Sequence, residues 1–177
     1  MREVSQKQAD DPKELERIRN EPNTRKLTLP VGWVTRKKLL GKIGFLDAEF
    51  FSPAYGEEAD WNFRAHNKGY KIVRSSKSNA VHFGSATIRK AVGNKKYVVL
   101  INRHRLRAML FNLSVGDLLK FVPGLGLILV KSVFDGSLLF VLKAYYLTLK
   151  DWRLILEQRG AKRAFVPFKQ PFFAKLE

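Results

Sequence analysis

Between Lys120 and Lys131 the chain runs ten residues without a charge, Phe121–Val130 (FVPGLGLILV), the longest uncharged stretch of an apolar C-terminal part. A helix that crosses a bilayer needs roughly 18–20 predominantly apolar residues, so no transmembrane helix is expected. Such a stretch must pack on a core or lie on an interface. The pattern Ser114-Val115-Gly116-Asp117 is a capping box that opens a helix, and Pro123 with Gly124 predicts an interruption of it. Onward from Leu125 to Leu149 the chain stays largely apolar, with single lysines at 131 and 143 and a third, Lys150, just beyond.

The apolar part sits in a strongly basic protein. Lys and Arg number 33 against 16 Asp and Glu in 177 residues, a net charge of +17. That field favours anionic partners: nucleic acid, an anionic membrane or phosphorylated substrates. The charge is +1 over residues 1–29, +6 over 30–91 and +10 over 92–177, so it is not a basic tail at one end. The length suits one ordinary domain. Cysteine is absent, which removes disulfides, thiol nucleophiles and thiolate metal sites. The first twenty residues mix charges and lack the apolar core of a secretory signal, and a cytoplasmic location is expected.

Three segments follow from the local patterns. Residues 1–29 form a charged segment with one short helix, signalled by Asp11-Pro12-Lys13-Glu14. Residues 30–91 read as a small α/β piece. It opens with an extended stretch, Leu29–Val34, and a short basic helix, Arg36–Lys42, closed by Gly44. The aromatic loop Phe45–Tyr55 suits the lining of a cleft, and a helix is predicted over Gly56–Lys68. Two short strand candidates, Tyr70–Arg74 and Ala80–Phe83, flank a polar turn. Residues 92–177 read as a basic and apolar helical tail, beginning with a helix from Asn94, its cap, to about Asn112.

Glu57, Glu58 and Asp60 place three carboxylates in four positions at a helix start. Mutual repulsion raises at least one pKa unless the helix dipole or a cation offsets it, and such a cluster serves as a general base or as ligands to a hard metal. The same pattern also arises simply because helix N-termini favour acids. Arg64 lies at i,i+4 from Asp60 and suits an ion pair, Trp61 and Phe63 suit a core, and His82 in an apolar strand is either a hydrogen-bonded core residue or a metal ligand.

The run Ile43–Thr87 resembles the acceptor-side half of the family 2 glycosyltransferases, notably the rhamnosyltransferase-like members. The matching residues are Ile43-Gly44, Asp47-Ala48-Glu49, Phe50-Phe51, Gly56-Glu57-Glu58-Ala59-Asp60, Arg64, Gly69-Tyr70, Val81-His82 and Gly84-Ser85, and Asn102-Arg103-His104-Arg105-Leu106 is similar to a helix that often follows. The resemblance covers about residues 29–115. It implies a partial GT-A-like α/β segment and inverting transfer of a sugar from a nucleotide-sugar to an acceptor hydroxyl on a glycan or lipid-linked acceptor.

On this resemblance Glu58 stands at the family's catalytic aspartate, Asp60 at the second acidic position, and Glu57 shapes the same pocket. His82 would complete a site for a divalent cation, Mn²⁺ or Mg²⁺. Trp33, Asp47 and Arg64 are the expected substrate-binding residues. The family's nucleotide-binding half, with its DxD motif, has no counterpart in these 177 residues; the expectation is that a partner chain supplies it or that it lies outside this stretch. The basic tail suits the inner face of an anionic membrane, with Arg103, Arg105 and Arg107 as phosphate contacts; a helical hairpin packed on the core with solvated lysines explains the tail equally.

Two other classes stay open. One is a catalytically silent membrane-peripheral or partner-binding fragment. The other is a nucleic-acid-binding protein, against which stands the lack of any helix-turn-helix, zinc-finger or RNP-type pattern.

Overall fold

The computed structural model of the chain describes residues 34–74, 86–161, 165 and 174–175. The first helices are α1 (Lys37–Ile43), α2 (Ala48–Phe51) and α3 (Glu57–Asn67). After the two-residue strand β1 (Val73–Arg74) come α4 (Ala86–Val92) and α5 (Asn94–Asn112). The C-terminal part holds α6 (Val115–Phe134), α7 (Leu138–Lys150), α8 (Trp152–Gly160) and β2 (Ala174–Lys175). The described residues are therefore a helical fold, which corrects the α/β expectation. Extended pairing among them is confined to a parallel ladder that joins Val73 to Ala174 and Arg74 to Lys175. The expected strand Tyr70–Arg74 shrinks to its last two residues because only those meet a partner, and Ala80–Phe83 lies outside the described residues.

Helix α5 is the hub. Nineteen residues at 1.5 Å each make it about 28 Å long, and α3, α4, α7 and α8 all pack against it. Its inward face carries Leu106, Ala108, Met109 and Phe111, all buried. Phe51, Ala59, Phe111 and Ile155 bring α2, α3, α5 and α8 into one core. Phe111 meets Phe50 edge-on at 5.7 Å and Phe51 at 6.1 Å, an arrangement that aromatic quadrupoles favour. A second cluster, Ile43, Trp61 and Ala65, seats α1 on α3.

Several termini follow local chemistry. Gly44 closes α1 with φ of 98°, Gly56 precedes α3 at φ 96°, and Ser114 Oγ accepts from the Asp117 backbone N–H at 3.1 Å to cap α6. The stretch read as an aromatic loop contains the short helix α2, which Asp47 caps by accepting from the Phe50 N–H. Asn94 does not cap α5; Gly93 holds that position, and the Asn94 side-chain Oδ1 accepts from Arg89 Nε instead. Pro123 does not interrupt α6, which continues through it to Phe134. The proline deprives Leu119 C=O of its helical donor, and since both residues are exposed that carbonyl is not stranded in an apolar interior. Among the described residues no helix is long and apolar enough to cross a membrane.

Candidate active site at the start of helix α3

The approach to the acidic cluster is a tightly held loop. Tyr55 adopts φ of +73°, a region that costs a bulky residue about 1–2 kcal/mol. His104 holds it there: the buried imidazole lies 3.0 Å from Ala54 O and 2.9 Å from Tyr55 O through Nδ1, so Nδ1 carries the proton and donates. Burial lowers the His104 pKa, the two carbonyl contacts push it back, and the neighbouring charges of Arg107 and Arg103 lower it further. Gly56 then has to be glycine. A Cβ there would stand 2.8 Å from the Phe51 ring and 3.0 Å from His104 Cβ, far inside van der Waals contact.

From this loop α3 starts with its three acids, and they part ways. Asp60 is 3% exposed. Its carboxylate accepts from Arg64 Nε at 2.7 Å and from Asn112 Nδ2 at 2.7 Å. Glu57 and Glu58 remain half-buried on the first turn. Glu57 Oε2 lies buried without a hydrogen-bond partner. The Glu58 pKa is raised, first by burial and then by the charge of Glu57. A carboxylate so placed is a better proton acceptor than a solvated glutamate.

Arg64 does more than pair with Asp60. Its Nη1 donates to Ile43 O at 2.9 Å and its Nη2 to Phe45 O at 2.8 Å, while Trp61 Nε1 donates to the intervening Gly44 O at 2.8 Å. Three consecutive carbonyls of the Gly44 bend are thus held by one face of α3. Beside this bend opens a cleft of about 360 Å³ whose lining includes Phe45, Asp47, Glu49, Asp60, Arg64 and Gln158. The structure thus brings together Asp47, Asp60 and Arg64 of the expected site residues. Glu57 and Glu58 sit one turn away and do not line the cleft. Trp33 and His82 lie outside the described residues.

The basic residues of α5 are placed otherwise than as a phosphate-binding row. Arg107 is buried and donates to Phe50 O and to the Asp151 carboxylate, and Arg103 donates to the same carboxylate at 2.8 Å. Burial by itself would raise the Asp151 pKa, yet the hydrogen bonds and charges of the two arginines outweigh it and lower the pKa. Only Arg105 of the three faces solvent. The reason is the helical period: positions 103 and 107 share the side that packs on α7 and α8, and position 105 points away.

Among the described residues no group of three or more His, Asp or Glu is placed to hold a metal ion, so no ligand set for the expected cation can be named there. His104, Asn112 and Asp151 are the site-shaping residues that sequence patterns did not single out. Their signal was faint: polar residues on the inward face of α5, and an aspartate at a helix junction. Comparison with family models, with curated proteins and with solved structures yields no match.

Proposed function

We propose that the chain carries the acceptor side of an inverting sugar transfer of the family 2 glycosyltransferase kind, with Glu58 as general base. The acceptor is a hydroxyl of a lipid-linked or cell-surface glycan. The Glu58 carboxylate takes the hydroxyl proton as the acceptor oxygen attacks the anomeric carbon. The bond from that carbon to the donor phosphate oxygen breaks, and the nucleoside diphosphate leaves with the electron pair. The nucleotide-sugar is held by a nucleotide-binding half that lies outside these 177 residues.

The observation that supports this reading is the division of labour in the acidic cluster. Asp60 has both carboxylate oxygens committed, to Arg64 and Asn112, whereas Glu58 is half-buried with a raised pKa. A proton acceptor near neutral pH profits from such a shift.

The test is incorporation of labelled sugar. The chain is added to membranes from its source cell, which supply acceptor and nucleotide-binding half, with Mn²⁺ and a panel of labelled nucleotide-sugars. Incorporation above that of the membranes alone is expected, falling by at least about a hundredfold in Glu58→Gln. Incorporation unchanged in that variant removes Glu58 as the base. No incorporation from any donor overturns the transfer reading and favours a catalytically silent fragment.

A further inference from the structure

Helix α6 reverses the usual order of burial. The only residues buried on it are Asp117 and Ser132, while Val115, Leu119, Val122, Val130 and Val133 are 55–67% exposed. Their spacing of four, three, eight and three residues runs along one side of the helix. Leu127 and Phe134, 69% and 87% exposed, widen the stripe on one side toward Lys120 and Lys131, which are eleven residues apart and share the border beyond them. Helix α7 repeats the pattern. Val141, Ala144 and Thr148 face α5 and are buried, and on the opposite side Leu139, Leu142, Tyr146 and Leu149 are 45–76% exposed. Lys143 and Lys150 lie along the edge of this second stripe, and Trp152, Arg153 and Leu156 in α8, which begins two residues beyond the end of α7, are also exposed.

Large apolar side chains left exposed in rows along two packed helices mark an interaction surface. Its frame says what covers it. From α6 to α8 five exposed cations, Lys120, Lys131, Lys143, Lys150 and Arg153, stand against two exposed carboxylates, Asp135 and Glu157. Leucine and valine stripes edged by lysines, with a Tyr and a Trp among them, suit the boundary between lipid headgroups and acyl chains. The N-terminal segment makes a poor cover, because residues 1–29 hold seven basic and six acidic side chains.

We infer that α6 and α7 dock on an anionic bilayer with their axes in the membrane plane, the exposed stripes entering the acyl boundary and the lysines meeting lipid phosphates. Ten uncharged residues between Lys120 and Lys131 span about 15 Å, half the hydrocarbon thickness, too short to cross it and consistent with helices that lie along the interface. This stands apart from the sugar-transfer reading, since it requires neither nucleotide-sugar nor Glu58.

The full chain is sedimented with vesicles of phosphatidylcholine mixed with phosphatidylglycerol, and with vesicles of phosphatidylcholine alone. Binding is expected on the first and at least about tenfold weaker binding on the second. Lys143→Gln with Lys150→Gln lowers affinity for the anionic vesicles by about thirtyfold, and Leu139→Glu with Leu142→Glu by about a hundredfold or more. These positions are exposed, so circular dichroism should register an unchanged helical content. If the glutamate variant nonetheless misfolds, Trp152 emission in the wild-type chain decides: brominated lipid should quench it, and Trp152→Phe should remove the quenched component. Absence of binding, equal binding to both vesicle types, or unquenched Trp152 overturns the inference. So does a dimer that the glutamate variant dissociates without any vesicle binding, which would assign the face to a second copy of the chain.

Discussion

Helices α3 and α6 solve opposite problems. On α3 a carboxylate and an amide, Asp60 and Asn62, are buried, and the carboxylate is tied to Arg64 and Asn112. On α6 leucines and valines face outward while the one buried carboxylate, Asp117, is held by Ser114 and Lys120. The contrast teaches that charge and burial do not track each other in this chain. Around α3 and α5 the side chains of Asp60, His104 and Arg107 are inside because each has a hydrogen-bond partner there, and the surrounding packing keeps the acidic cluster in place. Along α6 and α7 apolar groups are outside because the described residues offer them nothing to pack on.

The largest stability effect is expected at the junction of the core helices. Phe111→Ala should cost about 3–5 kcal/mol, read as a lowered denaturant midpoint, while Leu139→Ala on the exposed side of α7 should stay within about 0.5 kcal/mol. Similar losses at both positions would break the contrast between the two regions. Next comes Asp60→Ala, which strands Arg64 and Asn112 together and should cost about 3 kcal/mol; a loss below about 1 kcal/mol would mean that the ion pair is not the tie between α3 and the Gly44 bend.

Gly56→Ala adds a side chain at positive φ against Phe51 and His104, and about 2 kcal/mol of destabilisation is expected on thermal unfolding. The smallest effect is on pH dependence. The folded pKa of His104 is below its ordinary value, so the unfolded chain binds this proton first as pH falls. Stability is therefore expected to drop from about pH 6.5 down to the folded pKa, and His104→Gln should flatten that part of the profile. Glu58 has the opposite sign. Its folded pKa is raised, so its stabilising contribution is full below the ordinary glutamate pKa and fades as pH rises through the folded one. Glu58→Gln should remove that slope, measured by denaturation at a series of pH values.

Much of the helical framework was legible locally. The acids at the start of α3, Gly44 behind α1, and the Ser114 cap all act within a turn of their own position. The Asp60–Arg64 pair was equally visible, because i,i+4 neighbours meet on any helix. The role of that pair was not, since Ile43, Gly44 and Phe45 lie about twenty residues upstream and reach α3 only when α1 docks. Pro123 misled for a related reason. Its cost depends on whether the freed carbonyl is buried, and local sequence does not say which face of α6 meets water.

The same division separates what residue order settles in this protein from what packing settles. Residue order sets the helices, the clustering of Glu57, Glu58 and Asp60, and the alternation of lysines with leucines in the C-terminal part, because each depends on neighbours within one or two turns. Packing decided that Asp60 is a tether and Glu58 the carboxylate left with a raised pKa, that Arg103 and Arg107 face Asp151 instead of solvent, and that one side of α7 stays open. Those outcomes depend on desolvation and on partners some fifty residues away, and only the folded chain brings such groups within hydrogen-bonding reach.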